Sequence, residues 1–149
     1  MNNGKFIYWP HRDSNMTSLA EHKNNIKQLL EDINEKIRAN LLRERQKLIG
    51  FAASEASTNL LEYFLHRREL ISSGFTVNHT YFSSGKRAER ILDFEFPHKN
   101  EIITLLIKQE EFRDILCYGK EKQKQAVEEA IHNLQALKKL IEQELQESL

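Results

Sequence analysis

Reactive side chains gather near the end of one apolar stretch, Glu101–Gly119, where the sequence reads Arg113-Asp-Ile-Leu-Cys-Tyr118. Charged groups beside a packed helix face need partners or a water-filled cleft. One interpretation is therefore a cleft lined by Glu110, Arg113 and Asp114. The other is an i, i+3 ion pair between Glu110 and Arg113 on an ordinary helix surface. Cys117 falls where the helix should end, and the negative end of the helix dipole raises a thiol pKa, so we expect a structural cysteine.

A second polar group follows helical spacing earlier in the chain. Glu55, Asn59, Glu62 and His66 recur at intervals of four, three and four residues and so share one face of a helix. That face is either solvated or lines a cleft, and Glu55 favours the cleft because it interrupts an otherwise apolar stretch. His22, at the edge of another apolar stripe, is interpreted as a half-buried packing residue.

Several common catalytic and binding motifs are missing from the sequence. It contains no glycine-rich phosphate loop, CxxC pair, HExxH sequence or GxSxG elbow. The six histidines include no pair at i, i+4 spacing on one helix. The sequence therefore predicts neither a metal site nor a cofactor.

Helical periodicity governs the first half of the chain. Ser18-Leu-Ala-Glu21 has the capping-box pattern that opens a helix, and a turn is expected near residues 40–45. The next helix carries small side chains over Gly50–Thr58, which allow another helix to approach closely, and should end near Gly74.

The second half continues with helices of different lengths. We predict short helices near His79–Ser83 and Lys86–Phe94, the long apolar helix between Pro97 and Gly119, and an amphipathic helix within Lys120–Leu149. The predicted fold class is all-α: an up-and-down bundle of four or five helices with a short irregular insertion.

The N-terminal residues have a different character from the rest. Residues 1–15 are rich in aromatic and β-branched side chains, and Pro10 biases Trp9 towards extended geometry. They are predicted to form an extended arm that packs on the bundle or on a second subunit, with stacking on nucleic acid as the alternative. Residues 16–149 are predicted to form a single helical-bundle domain.

Composition narrows the class of protein. The 149 residues include 22 basic and 22 acidic side chains, a balance that argues against a dedicated nucleic-acid coat protein. The single cysteine excludes an internal disulfide and favours a reducing cytoplasm. No apolar run is long enough for a membrane span, so no membrane association is expected.

The order of these parts resembles the HEPN domains of prokaryotes. That family's motif is an arginine, usually followed by a polar residue, then four to six residues to a histidine, at the end of one helix and before a final amphipathic helix. Arg113 and Asp114 match the first two places, and the resemblance extends weakly over residues 19–145. It implies a HEPN-like helical bundle, often dimeric, whose members include metal-independent ribonucleases of toxin–antitoxin pairs.

The sequence departs from that motif at the histidine. With four intervening residues the position is Tyr118, and no histidine lies in the window. The family's histidine would handle the 2′-hydroxyl proton, whereas tyrosine keeps its own proton near neutral pH; losing a general base costs roughly 10²–10⁴-fold in rate. We therefore expect a homodimeric binding or regulatory module without ribonuclease activity.

Two further expectations follow from the resemblance. The partner in related systems is a small nucleotidyltransferase, for which Tyr118 is a conceivable modification target. The alternative function is a metal-independent RNA endonuclease, in which Arg113 holds the phosphate and His66 or Glu55 acts as the base; RNA is then the ligand.

Overall fold

The computed structural model describes the backbone of residues 3–149 and the side chains of residues 19–149. Within that range the chain forms five α-helices and one 3-10 helix, and no strand. The α-helices are α1 (Asn3–Arg38), α2 (Gln46–Arg67), α3 (Gly85–Ile91), α4 (Lys99–Cys117) and α5 (Lys124–Leu145), and the 3-10 helix spans His79–Phe82. The predicted all-α bundle is confirmed.

The second helix lies at the centre of this bundle. α2 packs against α1 on one side and against α4 and α5 on the other, whereas α1 packs against no other helix in the described residues. Small side chains make the central position possible, because a Cβ atom added at Gly50 would lie 2.8 Å from Leu116 Cβ of α4. The predicted close approach of another helix to Gly50–Thr58 is therefore present.

The fourth and fifth helices are joined by both apolar and polar contacts. The apolar stripe predicted for the last helix is buried at Val127, Ile131 and Ile141. Asn133 Nδ2 donates to Gln109 Oε1 at 2.8 Å, and Gln109 Nε2 in turn donates to the Ala130 carbonyl at 3.2 Å. Because each buried amide finds a partner, α4 is fixed in register against α5.

The first helix begins earlier in the chain than the sequence predicts. α1 begins at Asn3 rather than near Ser18, so the backbone of residues 3–15 is helical where the sequence predicts an extended arm. Lengthening an existing helix adds one hydrogen bond per residue and avoids the cost of nucleation, which favours continuation through Ser18. Residues 1–2 and the side chains of residues 3–18 lie outside the described residues, so the packing role of the arm stays a prediction.

The irregular insertion begins earlier than predicted. α2 ends at Arg67, not near Gly74, and Glu69 takes a left-handed conformation with φ 57°. The predicted short helices are present, and the Ser84 side chain caps α3 by accepting from the Arg87 amide at 3.1 Å. None of the described helices is both long and apolar enough to span a lipid bilayer.

Candidate functional site

Polar side chains from α1 and α2 meet in what we call the histidine cluster: His22, Asn59, Glu62 and His66. Three of them belong to the stripe predicted on α2, where the spacings of three and four residues place them on one face. His22 comes from α1, which runs antiparallel along that face. Its predicted half-buried position is confirmed, but it takes part in a hydrogen-bond network rather than in apolar packing.

The amide of Asn59 fixes the orientation of the His22 ring. Asn59 Nδ2 donates to the Glu55 carbonyl one turn earlier at 2.8 Å, which leaves Asn59 Oδ1 as an acceptor. His22 Nδ1 lies 2.9 Å from that oxygen and must therefore carry a hydrogen. The other ring nitrogen of His22, Nε2, is directed at Glu62 Oε2 at a distance of 2.5 Å.

Glu62 is a buried carboxylate whose two oxygens have separate partners. Oε1 accepts a hydrogen bond of 2.7 Å from the Val77 amide in the insertion, while Oε2 faces His22. Burial acts to raise the pKa of Glu62, but the hydrogen bonds from His22 and Val77 outweigh it, so the pKa is lowered. The hydrogen bond to Glu62 raises the pKa of His22 against the effect of burial. The protein alone therefore favours a charged His22–Glu62 pair.

His66 completes the cluster without a hydrogen bond at Nε2. This nitrogen is buried and has no hydrogen-bond partner among the described residues, and its distance of 3.8 Å from Glu62 Oε2 is too long for one. The ring stacks on His22 with centroids 5.9 Å apart and planes 19° from parallel. Burial lowers the pKa of His66, so the ring is neutral near neutral pH.

The cluster assembles atoms of the kind that bind metal ions. One ligand atom each from His22, Glu62 and His66 lie within 4.8 Å of one another. The sequence predicts no metal site because no two histidines share one helix at i, i+4 spacing. Glu62 and His66 do have i, i+4 spacing, which could have indicated half of the set, but the third residue comes from another helix.

Glu110 lies apart from the cluster and from Arg113. It is buried, and His79 Nδ1 of the 3-10 helix lies 2.7 Å from Glu110 Oε2. The ion pair between Glu110 and Arg113, one of the two interpretations of this strip, is therefore not formed. A buried carboxylate is stabilised by a partner that excludes solvent, and His79 supplies this from the insertion that covers α4.

The remaining predicted residues occupy what we call the α4 end: Arg113, Asp114 and Tyr118 at the C-terminus of α4, with the exposed apolar side chains beside them on α2 and α4. These apolar residues are Leu48 (44% exposed), Phe51 (47%) and Ile115 (41%). Tyr118 itself is 60% exposed. Leu116 and Cys117 anchor this end against Gly50 of α2.

The charged side chains of the α4 end lack partners within the described residues. Arg113 Nε is buried without a hydrogen-bond acceptor. Asp114 is exposed, and its carboxylate makes no hydrogen bond or ion pair with residues 19–149. Cys117 is half-buried, and burial raises the pKa of its thiol, which agrees with the expected structural role.

The structure thus divides the predicted site residues between two places. Gly50, which contacts the α4 end, precedes Glu62 by twelve residues, or roughly 18 Å along a helix. Glu55 lies between the two groups on α2, and its backbone carbonyl, not its carboxylate, is what hydrogen-bonds to Asn59. The stripe on α2 and the arginine motif do not form one cleft.

Comparison of this chain with family models, with curated proteins and with solved structures finds no match in any of the three. The HEPN resemblance consequently stays a prediction. The geometry of the histidine cluster and of the α4 end is what indicates the function.

Proposed function

We propose that this protein is a homodimeric binding or regulatory module of HEPN-like organisation, without ribonuclease activity, and that two copies join at the α4 end. The observation that carries the proposal is the buried Arg113 Nε, which has no acceptor among the described residues. A buried donor on a cationic side chain is costly when unpaired. The terminal guanidinium nitrogens of Arg113 are not among the buried atoms and also lack a partner within residues 19–149, so an acceptor on a second molecule can reach the guanidinium there.

The charges of the α4 end suit a second copy of the same chain. A two-fold interface is self-complementary. If residue i of one copy contacts residue j of the other, residue j of the first copy also contacts residue i of the second. Arg113 and Asp114 are adjacent, opposite in charge and free of other ion pairs within residues 19–149. Across a two-fold axis, Arg113 of each copy can pair with Asp114 of the other.

Exposed apolar side chains support an interface at the same end. Phe51 is 47% and Tyr118 60% exposed, and Leu48, three residues before Phe51 on α2, is 44% exposed. Aromatic residues and arginine are enriched at the centres of protein interfaces, where they supply much of the binding energy. The α4 end carries both kinds of residue.

The proposed lack of ribonuclease activity is supported by the described side chains, residues 19–149, among which no suitable base lies beside Arg113. His66, one candidate base, belongs to the histidine cluster and follows Gly50, which contacts the α4 end, by roughly four helical turns along α2. The Cys117 thiol is protonated near neutral pH because burial raises its pKa. Among the predicted candidates only Glu55 lies on the adjoining part of α2, and its side chain makes no hydrogen bond that would orient it towards Arg113.

Charge reversal at the interface tests the dimer. Sedimentation of the wild type should give a dimer at micromolar concentration, and Arg113→Asp or Asp114→Arg should weaken it by roughly tenfold or more through like-charge contacts. The double variant Arg113→Asp/Asp114→Arg restores opposite charges across the axis and should dimerise again. Lys108→Glu, an exposed position elsewhere on α4, is the matched control and should leave the dimer intact.

A monomeric wild type, or a double variant no better than the single ones, would overturn the proposed interface. Activity is tested separately by incubating the purified protein with a mixed RNA pool without metal. We expect the RNA to stay intact. Cleavage that disappears in Arg113→Ala would instead establish the ribonuclease alternative.

A further inference from the structure

We propose that His22, Glu62 and His66 bind a divalent transition-metal ion of the zinc class through His22 Nε2, Glu62 Oε2 and His66 Nε2. This site is separate from the α4 end and does not depend on the function proposed there. Two imidazoles and one carboxylate form a common three-residue ligand set for zinc sites that keep a fourth position for water.

The hydrogen bonds around the cluster direct the correct atoms inward. Asn59 Oδ1 accepts from His22 Nδ1, so the Nε2 of that ring is the nitrogen available to an ion. The Val77 amide occupies Glu62 Oε1 and leaves Oε2 facing both rings. Metal-binding histidines and carboxylates are usually held by such outer hydrogen bonds, which fix the tautomer and the ring orientation.

His66 provides the second, independent observation. Its side chain is 10% exposed, and its buried Nε2 points towards the shared carboxylate without a hydrogen-bond partner in the described part of the chain. A buried imidazole nitrogen without a partner is unfavourable for the protein alone. A neutral imidazole nitrogen is also the form that binds zinc.

Two of the three separations between ligand atoms need only a small adjustment to accommodate an ion, and all three atoms lie within 4.8 Å of one another. Tetrahedral ligands at about 2.0–2.1 Å from zinc lie roughly 3.3 Å from one another. The separation of His66 Nε2 and Glu62 Oε2, 3.8 Å, is close to that value. The 2.5 Å separation of His22 Nε2 and Glu62 Oε2 must lengthen by under an ångström as the ion replaces the proton between them.

The ligand types select among metal ions. Imidazole nitrogen favours zinc, copper, nickel and iron over magnesium and calcium, which prefer oxygen ligands in larger number. The cluster offers two nitrogens and one carboxylate oxygen. Zinc should therefore bind in the presence of excess magnesium.

Access from solvent is also available. His66 lines a cavity of about 510 Å³ together with Leu19, Glu69 and Ile71. Of the three ligands only His66 lines this cavity, and its Nε2 is buried, so an ion entering from this side must displace the His66 ring slightly, and the fourth coordination position then faces the cavity. Three protein ligands with one open position is the arrangement found when zinc binds an exchangeable ligand.

Titration of untagged, metal-free protein with zinc ions is the test. Calorimetry should give one tight site per chain, and cobalt ions should produce the visible absorption bands of tetrahedral nitrogen–oxygen coordination. His66→Gln should lower zinc affinity by about a hundredfold or more and abolish the cobalt bands. Because His66 Nε2 has no hydrogen-bond partner, that variant should fold as the wild type does. Asn59→Ala, which removes an outer hydrogen bond, should cost about 10–100-fold.

The other buried histidine–carboxylate pair gives the matched control. His79 and Glu110 lie at 2.7 Å, with the same residue types as His22 and Glu62. His79→Gln should bind zinc as tightly as the wild type. The proposal is overturned if the wild type binds no zinc, if folded His66→Gln binds as tightly as the wild type, or if His79→Gln loses affinity equally.

Discussion

In the histidine cluster, Glu62 uses both carboxylate oxygens inside the chain, one towards His22 and one for the Val77 amide. At the α4 end, Arg113 and Asp114 contribute to no side-chain hydrogen bond or ion pair within residues 19–149. The histidine cluster takes its polar side chains from α2 and α1, and the α4 end takes Arg113 and Asp114 from α4; both α1 and α4 pack against α2. They differ in whether the chain itself supplies the partner.

That difference separates the proposed metal site, which lies inside the chain, from the proposed dimer interface, which lies on its surface. Where partners come from two helices and a loop, the side chains are held in place before any ligand arrives, which favours a small ion. Where charges and apolar side chains are left at the surface, the proposed partner is another macromolecule. The two proposals for this protein follow that division.

The largest predicted contrast is in stability. Glu62→Leu leaves the Val77 amide and His22 without their buried partner, and removing one member of a buried pair costs about 3–5 kcal/mol of unfolding free energy. Arg113→Leu removes a buried donor that has no partner, so monomer stability should stay the same or rise slightly, by about 0.5 kcal/mol or more. Urea denaturation measures both. Equal losses would remove the contrast between the regions.

A smaller effect is expected where the two helices of the α4 end touch. Alanine normally favours a helix over glycine by about 1 kcal/mol, but at Gly50 its Cβ would lie 2.8 Å from Leu116 Cβ. The helices must separate, so Gly50→Ala should be net destabilising by about 1–2 kcal/mol. At Gly85 the nearest atom is 3.9 Å away, and Gly85→Ala should be neutral or slightly stabilising by the same denaturation measurement. A stabilising Gly50→Ala would mean that this contact is looser than described.

We expect stability to depend on pH through Glu147, which contacts Lys23 of α1 and Tyr63 of α2, the two helices that form the histidine cluster. Burial acts to raise the pKa of Glu147, but hydrogen bonds from Tyr63 and Lys23 outweigh it and lower the pKa below its ordinary value of 4.5. A group whose pKa is lowered in the folded state stabilises the protein fully when the pH is above its unfolded-state pKa. This stabilisation is lost as the pH falls through the folded-state pKa. Glu147→Gln should therefore cost about 1 kcal/mol at neutral pH and little in strong acid. A difference between variant and wild type that is constant with pH would contradict this.

The smallest effect concerns the only thiol of the chain, which belongs to the α4 end. Burial raises the pKa of Cys117, and its Sγ donates to the Lys47 carbonyl at 3.4 Å. Alkylation by iodoacetamide near neutral pH should be several-fold slower than for free cysteine, because the thiolate is the reactive form. Urea should abolish the difference. Rapid alkylation of the folded protein would instead indicate an activated thiol.

The sequence identified the helices whose apolar stripes were complete. α4 lies between Pro97 and Gly119 and α5 within Lys120–Leu149, as predicted, and the turn at residues 40–45 was expected because a single helix from Leu19 to Leu70 would be too long for a globular domain. The start of α1 at Asn3 could not be predicted in this way, because the capping-box pattern at Ser18 marks a local preference that continuation of the helix overrides.

The site was predictable only within single helices. Asn59, Glu62 and His66 share a face by spacing alone, and the structure brings them together. Their partner on α1 is 37 residues from Asn59 in sequence, and the Val77 amide belongs to an irregular segment. Periodicity carries no information on such pairings, which arise from how helices cross. For the same reason, Glu110 was assigned to Arg113 on its own helix, while its true neighbour, His79, lies in the insertion.

Within the part of the chain that the structure describes, α1 contacts α2 alone among the helices, and this position at the side of the bundle has a consequence for how the protein opens. Detaching α1 uncovers Ile26 and Ile33 but leaves the packing among the other helices intact. Amide protons of residues 19–38 should thus exchange with deuterium before those of α2, as a sub-global opening. The lysines and arginines near the connecting turn would then be early targets for trypsin.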